Sequence, residues 1–282
     1  MQSPEGESMS RLIVDRDKCN SCGICALECP AVIIEVPDPE GLPFWTDGGE
    51  ERCINCGHCV AVCPLAAIGL DTMSPQNCDP LEKKLLPSPE QVELLLKSRR
   101  SIRVYRQEPV SREILTKLID TARYAASGHN AQPLQWLVIE DSKEVKRLAG
   151  MVADWMRIAI KEMPQLADSL HLDLIVADWE QGNDRIMRSA PHAIVVHAPA
   201  DNVMAPGAAP VALTYLELAA YSLGLGACWA GFFQLCAAFY APMMEALQLP
   251  EGHKSLGAMM VGYPKHRFSR IPLRDEPVIT WR

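Results

Sequence analysis

Two identical cysteine spacings in the first quarter of the chain constrain its fold more than any other feature. Cys19, Cys22, Cys25 and Cys29 run into Pro30, and Cys53, Cys56, Cys59 and Cys63 run into Pro64. Each run is C-x2-C-x2-C-x3-C-P. Zinc is usually held by two separated C-x2-4-C pairs, which an evenly stepped triple does not supply. Disulfides need an oxidising compartment, and the polar, acidic start from Met1 to Ser10 has no apolar core of a signal peptide. Thiolates stepped this closely are the ligands of an iron–sulfur cubane, so the first expectation is a protein that moves electrons.

The doubled spacing resembles that of bacterial ferredoxins that hold two 4Fe–4S clusters. In them three cysteines of one run serve one cluster, and the fourth closes the other. The resemblance therefore implies one cluster on Cys19, Cys22, Cys25 and Cys63, and a second on Cys53, Cys56, Cys59 and Cys29. The other three of the 11 cysteines, Cys78, Cys228 and Cys236, have no ligand spacing and read as small apolar residues.

A length of 282 residues suits one small and one ordinary domain, and 48% hydrophobic residues supply a core. The net charge of −8 is unevenly spread. Residues 1–80 hold Arg11, Arg16, Lys18 and Arg52 against thirteen acidic residues, or −9, leaving +1 for the rest. This disfavours nucleic acid and suits transient docking with a redox partner, although plain solubility accounts for it equally. Val211–Phe233 is apolar, but Tyr215, Glu217, Tyr221 and Gly224-Leu225-Gly226 read as a buried helix ending at a glycine turn rather than a membrane span. A cytoplasmic protein is expected.

The cysteine-rich part ends near Leu70, giving a domain of residues 1–80 and a proline-bearing linker over about 71–88. The second domain, 88–282, opens on a helix with Ser88 as cap, Pro89 at its first position and Gln91 completing a capping box. Ser111 caps a second helix carrying Ile114, Leu115, Leu118 and Ile119 on one side. Gln135–Glu140 reads as a strand, Ser142 caps a long helix, His192–His197 reads as a buried strand, and Ala258–Val261 as a last one. Strands and helices without regular alternation argue for α+β.

Arg99-Arg100-Ser101-Ile102-Arg103 closes the first of these helices. Guanidinium forks match phosphate oxygens, but basic residues at a helix C-terminus also complement its dipole, and composition leaves both readings open. The order of four motifs adds to this. Arg99–Arg103 is followed by Ser127-Gly128-His129-Asn130-Ala131-Gln132-Pro133, by Gly224-Leu225-Gly226-Ala227-Cys228-Trp229-Ala230-Gly231, and by Gly262-Tyr263-Pro264 with Arg270-Ile271-Pro272-Leu273. That succession resembles the nitroreductase superfamily of FMN enzymes over residues 88–282.

The resemblance implies a central mixed sheet and an intertwined homodimer with FMN at its interface. It implies that Arg99, Arg100, Ser101, Arg103 and Arg270 hold the FMN phosphate and ribityl chain. Ser127, Asn130 and Gln132 then meet the ring or ribityl hydroxyls, and Trp229, Ala230 and Gly231 lie along the isoalloxazine edge with backbone N–H groups near N5 and O4. Some members carry an acidic residue where this chain has Ala230. The chemistry itself belongs to FMN, so no separate catalytic side chain is expected. His58 reads as structural, His129 in the flavin loop reads equally as a pocket-lining or a structural residue, and no H-E-x-x-H, G-x-S-x-G or G-x-G-x-x-G motif is present.

The whole then reads as an FMN- and iron–sulfur-dependent oxidoreductase, fed by a low-potential donor such as ferredoxin and reducing a nitroaromatic, a quinone or an activated alkene. Two alternatives remain at this stage: a flavin relay to a protein partner, and an NAD(P)H-driven flavin reductase with auxiliary clusters.

Overall fold

The computed structural model describes residues 11–37 and 41–282, so the expectation for Met1–Ser10 lies outside the described residues. The chain divides into two compact units. One runs to Leu86 and includes His129–Ala131; the other comprises Pro87–Gly128 and Gln132–Arg282.

The first unit is built on the sequence duplication. Its elements are β1 (Leu12–Val14), α1 (Ile24–Leu27), β2 (Ile34–Glu35), β3 (Phe44–Trp45), α2 (Gly49–Arg52), α3 (His58–Val62) and β4 (Ile68–Leu70). β1 pairs antiparallel with β4, and β2 with β3. Each cysteine run turns into a short helix through a left-handed glycine, Gly23 (φ 72°) before α1 and Gly57 (φ 71°) before α3. Ser21 and Asn55 also take positive φ, so left-handed residues bracket Cys22 and Cys56 and wind each loop tightly. Ile33, Ile34, Val60, Ile68 and Leu70 pack around Cys25 and Cys59 to form the small core. The segment after β4 is not uniformly extended: it makes 3-10 turns at Pro75–Asn77 and Lys83–Leu85.

The second unit begins at α4 (Pro89–Ser98), where the Ser88 capping box forms in full. It continues through α5 (Arg112–Ala122), β5 (Gln135–Ile139), α6 (Ser142–Glu162), α7 (Pro164–Ser169), α8 (Leu172–Glu180), β6 (His192–Pro199), α9 (Ala205–Ser222), β7 (Gly226–Trp229), α10 (Gly231–Phe239), α11 (Ala241–Ala246) and β8 (His253–Gly262). The sheet order is β5-β6-β8-β7, and every neighbouring pair is antiparallel. This corrects the expected mixed sheet. β6 and β7 run parallel across the helix α9, but β8 returns between them and makes each contact antiparallel. Alternate residues of the buried strand β6 then feed two cores. Ala193 and Val195 face Leu148, Val152, Met156 and Phe233, while Ile194 and Val196 face Leu118, Leu213 and Leu216.

Several boundaries differ from the sequence reading for local reasons. Asp141, not Ser142, caps α6, its Oδ1 accepting the Lys143 N–H at 2.8 Å; a carboxylate also complements the helix N-terminus. α9 starts six residues before Val211 because Asn202 Oδ1 accepts the Met204 and Ala205 N–H groups at 3.0 Å, and the helix carries Pro210 within it. Gly224 (φ 74°) ends α9, with the Leu225 N–H bonded to the Ala220 carbonyl at 2.8 Å, as the glycine turn required. No described helix is long and apolar enough to cross a membrane.

Candidate functional site

In the first unit the eight cysteines line two cavities. One of about 370 Å³ is bordered by Cys19, Cys22, Cys25 and Cys63; the other, about 310 Å³, by Cys29, Cys53, Cys56 and Cys59. These are the two interleaved sets, each taking three sulfurs from one run and one from the other. Ile33, Ile34, Trp45 and Leu70 wall the second cavity with apolar surface. Burial pushes the Cys25 thiol up and the Cys59 thiol to about 11, so without a metal charge these sulfurs favour the neutral thiol. A bound iron centre takes them as thiolates, and four sulfurs around an apolar cavity fit a cubane. The Cys63 sulfur also accepts the Ala67 N–H at 3.3 Å, the kind of second hydrogen bond that tunes cluster potentials.

In the second unit a wide, open cavity, about 1020 Å³ with its solvent-open mouth included, lies beside β7 and the start of α10. Arg103, Arg185 and Arg188 border it with Trp229, Ala230, Gly231, Phe232, Leu235 and Met260. Arg185 is paired with Asp178 at 2.6 Å. Arg103 and Arg188 form no salt bridge among the described residues, although Asp184 acts on Arg188, so the cavity carries excess positive charge beside apolar wall. The Ala230 N–H is committed to the Ala258 carbonyl at 2.9 Å. The free donors at this edge are therefore the first-turn N–H groups of α10, at Gly231 and Phe232, which have no partner within the helix. A planar heterocycle with a phosphate tail fits such a cavity.

The remaining residues singled out in the sequence lie elsewhere. Arg99 donates to Glu217 at 2.7 Å. Arg100 returns to the chain, its Nη2 bonding the Lys97 carbonyl at 2.7 Å at the end of α4, which is the helix-terminus reading of the basic run. Ser101 neighbours Cys228, which lines the Arg103 cavity and whose thiol burial pushes up. Ser127 and Gln132 line a separate cavity of about 470 Å³ with Trp136, Ala208 and Ala212, and the Ser127 hydroxyl accepts the Gln132 N–H at 3.0 Å. Asn130 belongs to the first unit, its Nδ2 bonding the Asn55 carbonyl at 3.0 Å. Arg270 lies in the exposed C-terminal segment. One cavity thus gathers Arg103, Trp229, Ala230 and Gly231 and adds Arg185 and Arg188, which the sequence reading missed. Its signal was a pair of arginines three apart just before the buried strand β6.

Residues 96–263 match the nitroreductase family, and residues 18–68 match a 4Fe-4S dicluster domain. Among curated proteins, an NADH dehydrogenase of Thermus thermophilus is 28% identical over 204 residues, covering 65% of this chain and 92% of that protein. An FMN reductase [NAD(P)H] of Bacillus subtilis is 25% identical over 179 residues, covering 63% and 67%. Among solved structures, an FMN-bound nitroreductase of Desulfitobacterium hafniense aligns with a TM-score of 0.56 at 22% identity, over 69% of this chain and 99% of its own. One from Bacteroides fragilis gives 0.55 at 19%, over 68% and 99%.

Proposed function

The chain belongs to the nitroreductase family, and from that premise we propose an FMN- and iron–sulfur-dependent oxidoreductase that passes electrons from two 4Fe–4S clusters by way of FMN to an organic acceptor. The acceptor class is a nitroaromatic, a quinone or an activated alkene. The observation that carries this reading is the pair of four-cysteine cavities on the same chain as a flavin-sized, cation-lined cavity. When bound, the clusters supply electrons singly, and FMN takes them singly or in pairs before delivering a hydride or an electron pair.

The chain's own residues hold and orient these groups. Arg103, which forms no salt bridge among the described residues, would hold the FMN phosphate. The first turn of α10 offers N–H donors to the polar edge of the ring, where negative charge develops on reduction. Trp229 and Met260 supply flat and adaptable apolar contact beside it. Arg99 and Arg100 stay with Glu217 and the helix carbonyls and position the segment bearing Arg103.

A homodimer completes the site in this reading. Ser127 and Gln132 line a cavity separate from that of Arg103 and Trp229, so they reach a flavin of the second copy. α9 supports this assembly: Leu213, Leu216 and Ala220 are buried in its own unit, while Val211 and Tyr215 leave apolar surface exposed. The two modules are residues 1–80 and 88–282. A low-potential protein such as ferredoxin donates to the acidic first module, in the cytoplasm.

The test is anaerobic composition and turnover. The purified protein should carry about eight irons, in two four-iron clusters, and one FMN per chain. Chemically reduced protein should then turn over at least one member of a panel of nitroaromatics, quinones and enoates. Four irons or fewer, zinc in stoichiometric amount, or absence of flavin defeats the reading.

A further inference from the structure

Three guanidinium groups border the flavin-sized cavity, but only Arg103 belongs to a segment that the flavin reading uses. Arg185 and Arg188 come from the loop between α8 and β6, and that loop is built to hold them. Asp184 spans it from one side, Oδ1 accepting the N–H groups of Ile186 at 2.9 Å and Met187 at 2.8 Å, and Oδ2 that of Ser189 at 2.8 Å. Gln107 reaches the Ser189 carbonyl from the other side at 3.3 Å. Ile186 and Met187, immediately before Arg188, are fully buried.

Arg188 and Ser189 follow with φ of 57° and 49°, two consecutive non-glycine residues in the left-handed region. Side chains adopt that conformation only where the surroundings over-determine it, and such strain concentrates at binding sites. Arg188 is half-buried there and lines the cavity. Burial, then the charges of Arg185 and Arg103, push the Arg188 group below its ordinary range, and Cys228 and Asp184 offset this only in part. Asp178 pairs with Arg185 at 2.6 Å, whereas Arg188 forms no salt bridge among the described residues, and the Asp184 carboxylate that acts on it is committed to the loop N–H groups.

We propose that Arg188, supported by Arg185, is the specificity determinant for an acceptor that carries a carboxylate next to its reducible group, the carboxylate seating on this loop while the apolar body lies against Phe232 and Leu235. The inference rests on the flavin reading of the same cavity and adds its substrate class. A guanidinium fork matches a carboxylate in two parallel hydrogen bonds, and a half-buried one gains more from it than an exposed one. The phosphate of FMN shares that oxyanion chemistry, so the experiment must separate the two.

The oxidised holoprotein is titrated with benzoate and with benzamide, of near-equal shape, by calorimetry and by flavin absorbance, with FMN content measured in every variant. The wild type should bind benzoate about ten- to a hundredfold more tightly than benzamide, the range for one charge-assisted contact. Arg188→Met should erase that preference and keep FMN; Arg188→Lys should retain part of it. Arg185→Gln, at an exposed position outside the core, should weaken it without touching the fold. In turnover, 2-nitrobenzoate, whose carboxylate lies next to the nitro group, should lose its KM advantage over 2-nitrobenzamide in Arg188→Met. Equal binding of benzoate and benzamide by the wild type overturns the proposal. So does loss of FMN from Arg188→Met while any remaining holoprotein keeps the preference, since the guanidinium then serves the flavin phosphate. A wild type that carries no flavin at all instead defeats the proposed function.

Discussion

Arg99→Met is the perturbation most sharply specified by the structure. Arg99 donates to Glu217 Oε1 at 2.7 Å, with Glu217 only 9% exposed and Arg99 26% exposed. Burial pushes the Glu217 carboxyl up, and the charge and hydrogen bond of Arg99 pull it back. Removing the arginine leaves a buried carboxylate unpaired. Breaking a fully buried pair costs roughly 3–5 kcal/mol, and the partial exposure of Arg99 places this one near the bottom, at about 3 kcal/mol. For a unit of this size that lowers Tm by about 6–12 °C. The loss has a pH signature. With its pKa raised in the folded state, Glu217 takes a proton more readily there than in the unfolded chain. Stability therefore falls as pH rises from the ordinary carboxylate range through the raised value, and Arg99→Met widens that window. Urea unfolding at pH 8 and pH 5.5 should show a larger deficit, relative to wild type, at pH 8. Arg99→Met combined with Glu217→Met should recover most of it, since replacing both partners by apolar groups is near neutral. A deficit equal at both pH values and unrelieved in the double variant would refute the reasoning.

Two further outcomes concern the cysteines and a buried histidine. Cys63→Ala should damage the cluster whose other three ligands lie in the first cysteine run and spare its neighbour, whereas Cys78→Ala, Cys228→Ala and Cys236→Ala should leave the iron count unchanged; cluster-resolved electron paramagnetic resonance with iron analysis distinguishes these. His197 is buried with its Nδ1 3.0 Å from that of His253, and burial, then the neighbouring ring, push its pKa down. The unfolded chain takes a proton near pH 6.5 that the folded one resists, so wild-type stability should drop as pH falls below about 6.5. His197→Asn should flatten that drop between pH 7.5 and 5.5 in urea titrations, and an unchanged slope would exclude the pair as its source.

The cluster cavities were legible because their chemistry is local. Spacing alone puts three sulfurs on one turn, and the glycines at Gly23 and Gly57 permit the left-handed entry to α1 and α3. The caps at Ser88 and Ser111 and the buried strand β6 were legible for the same reason, as each is written within a few residues. The position of β8 between β6 and β7 was not, because it depends on which strand edge is open after more than fifty residues have folded. α10 was hidden by continuous apolarity, Gly231–Phe239 showing no polar face to give a helical period. The basic run Arg99–Arg103 divides in the structure. Composition treats its arginines alike, yet Glu217, over a hundred residues away, takes Arg99, the helix end takes Arg100, and the cavity receives only Arg103. Arg185 and Arg188 escaped notice because their role comes from Asp184 holding the loop, a contact with no motif.

The most direct test of the central claim is the order in which reduction is seen when anaerobic full-length protein is mixed rapidly with a reduced low-potential ferredoxin. Iron–sulfur bleaching and flavin bleaching are separable in the visible spectrum. The account predicts that the iron–sulfur absorbance falls first and the flavin absorbance second, and that adding a nitroaromatic or quinone restores both. Flavin bleaching that precedes any change at the clusters, at a rate unaltered by Cys19→Ala and Cys53→Ala, would contradict it.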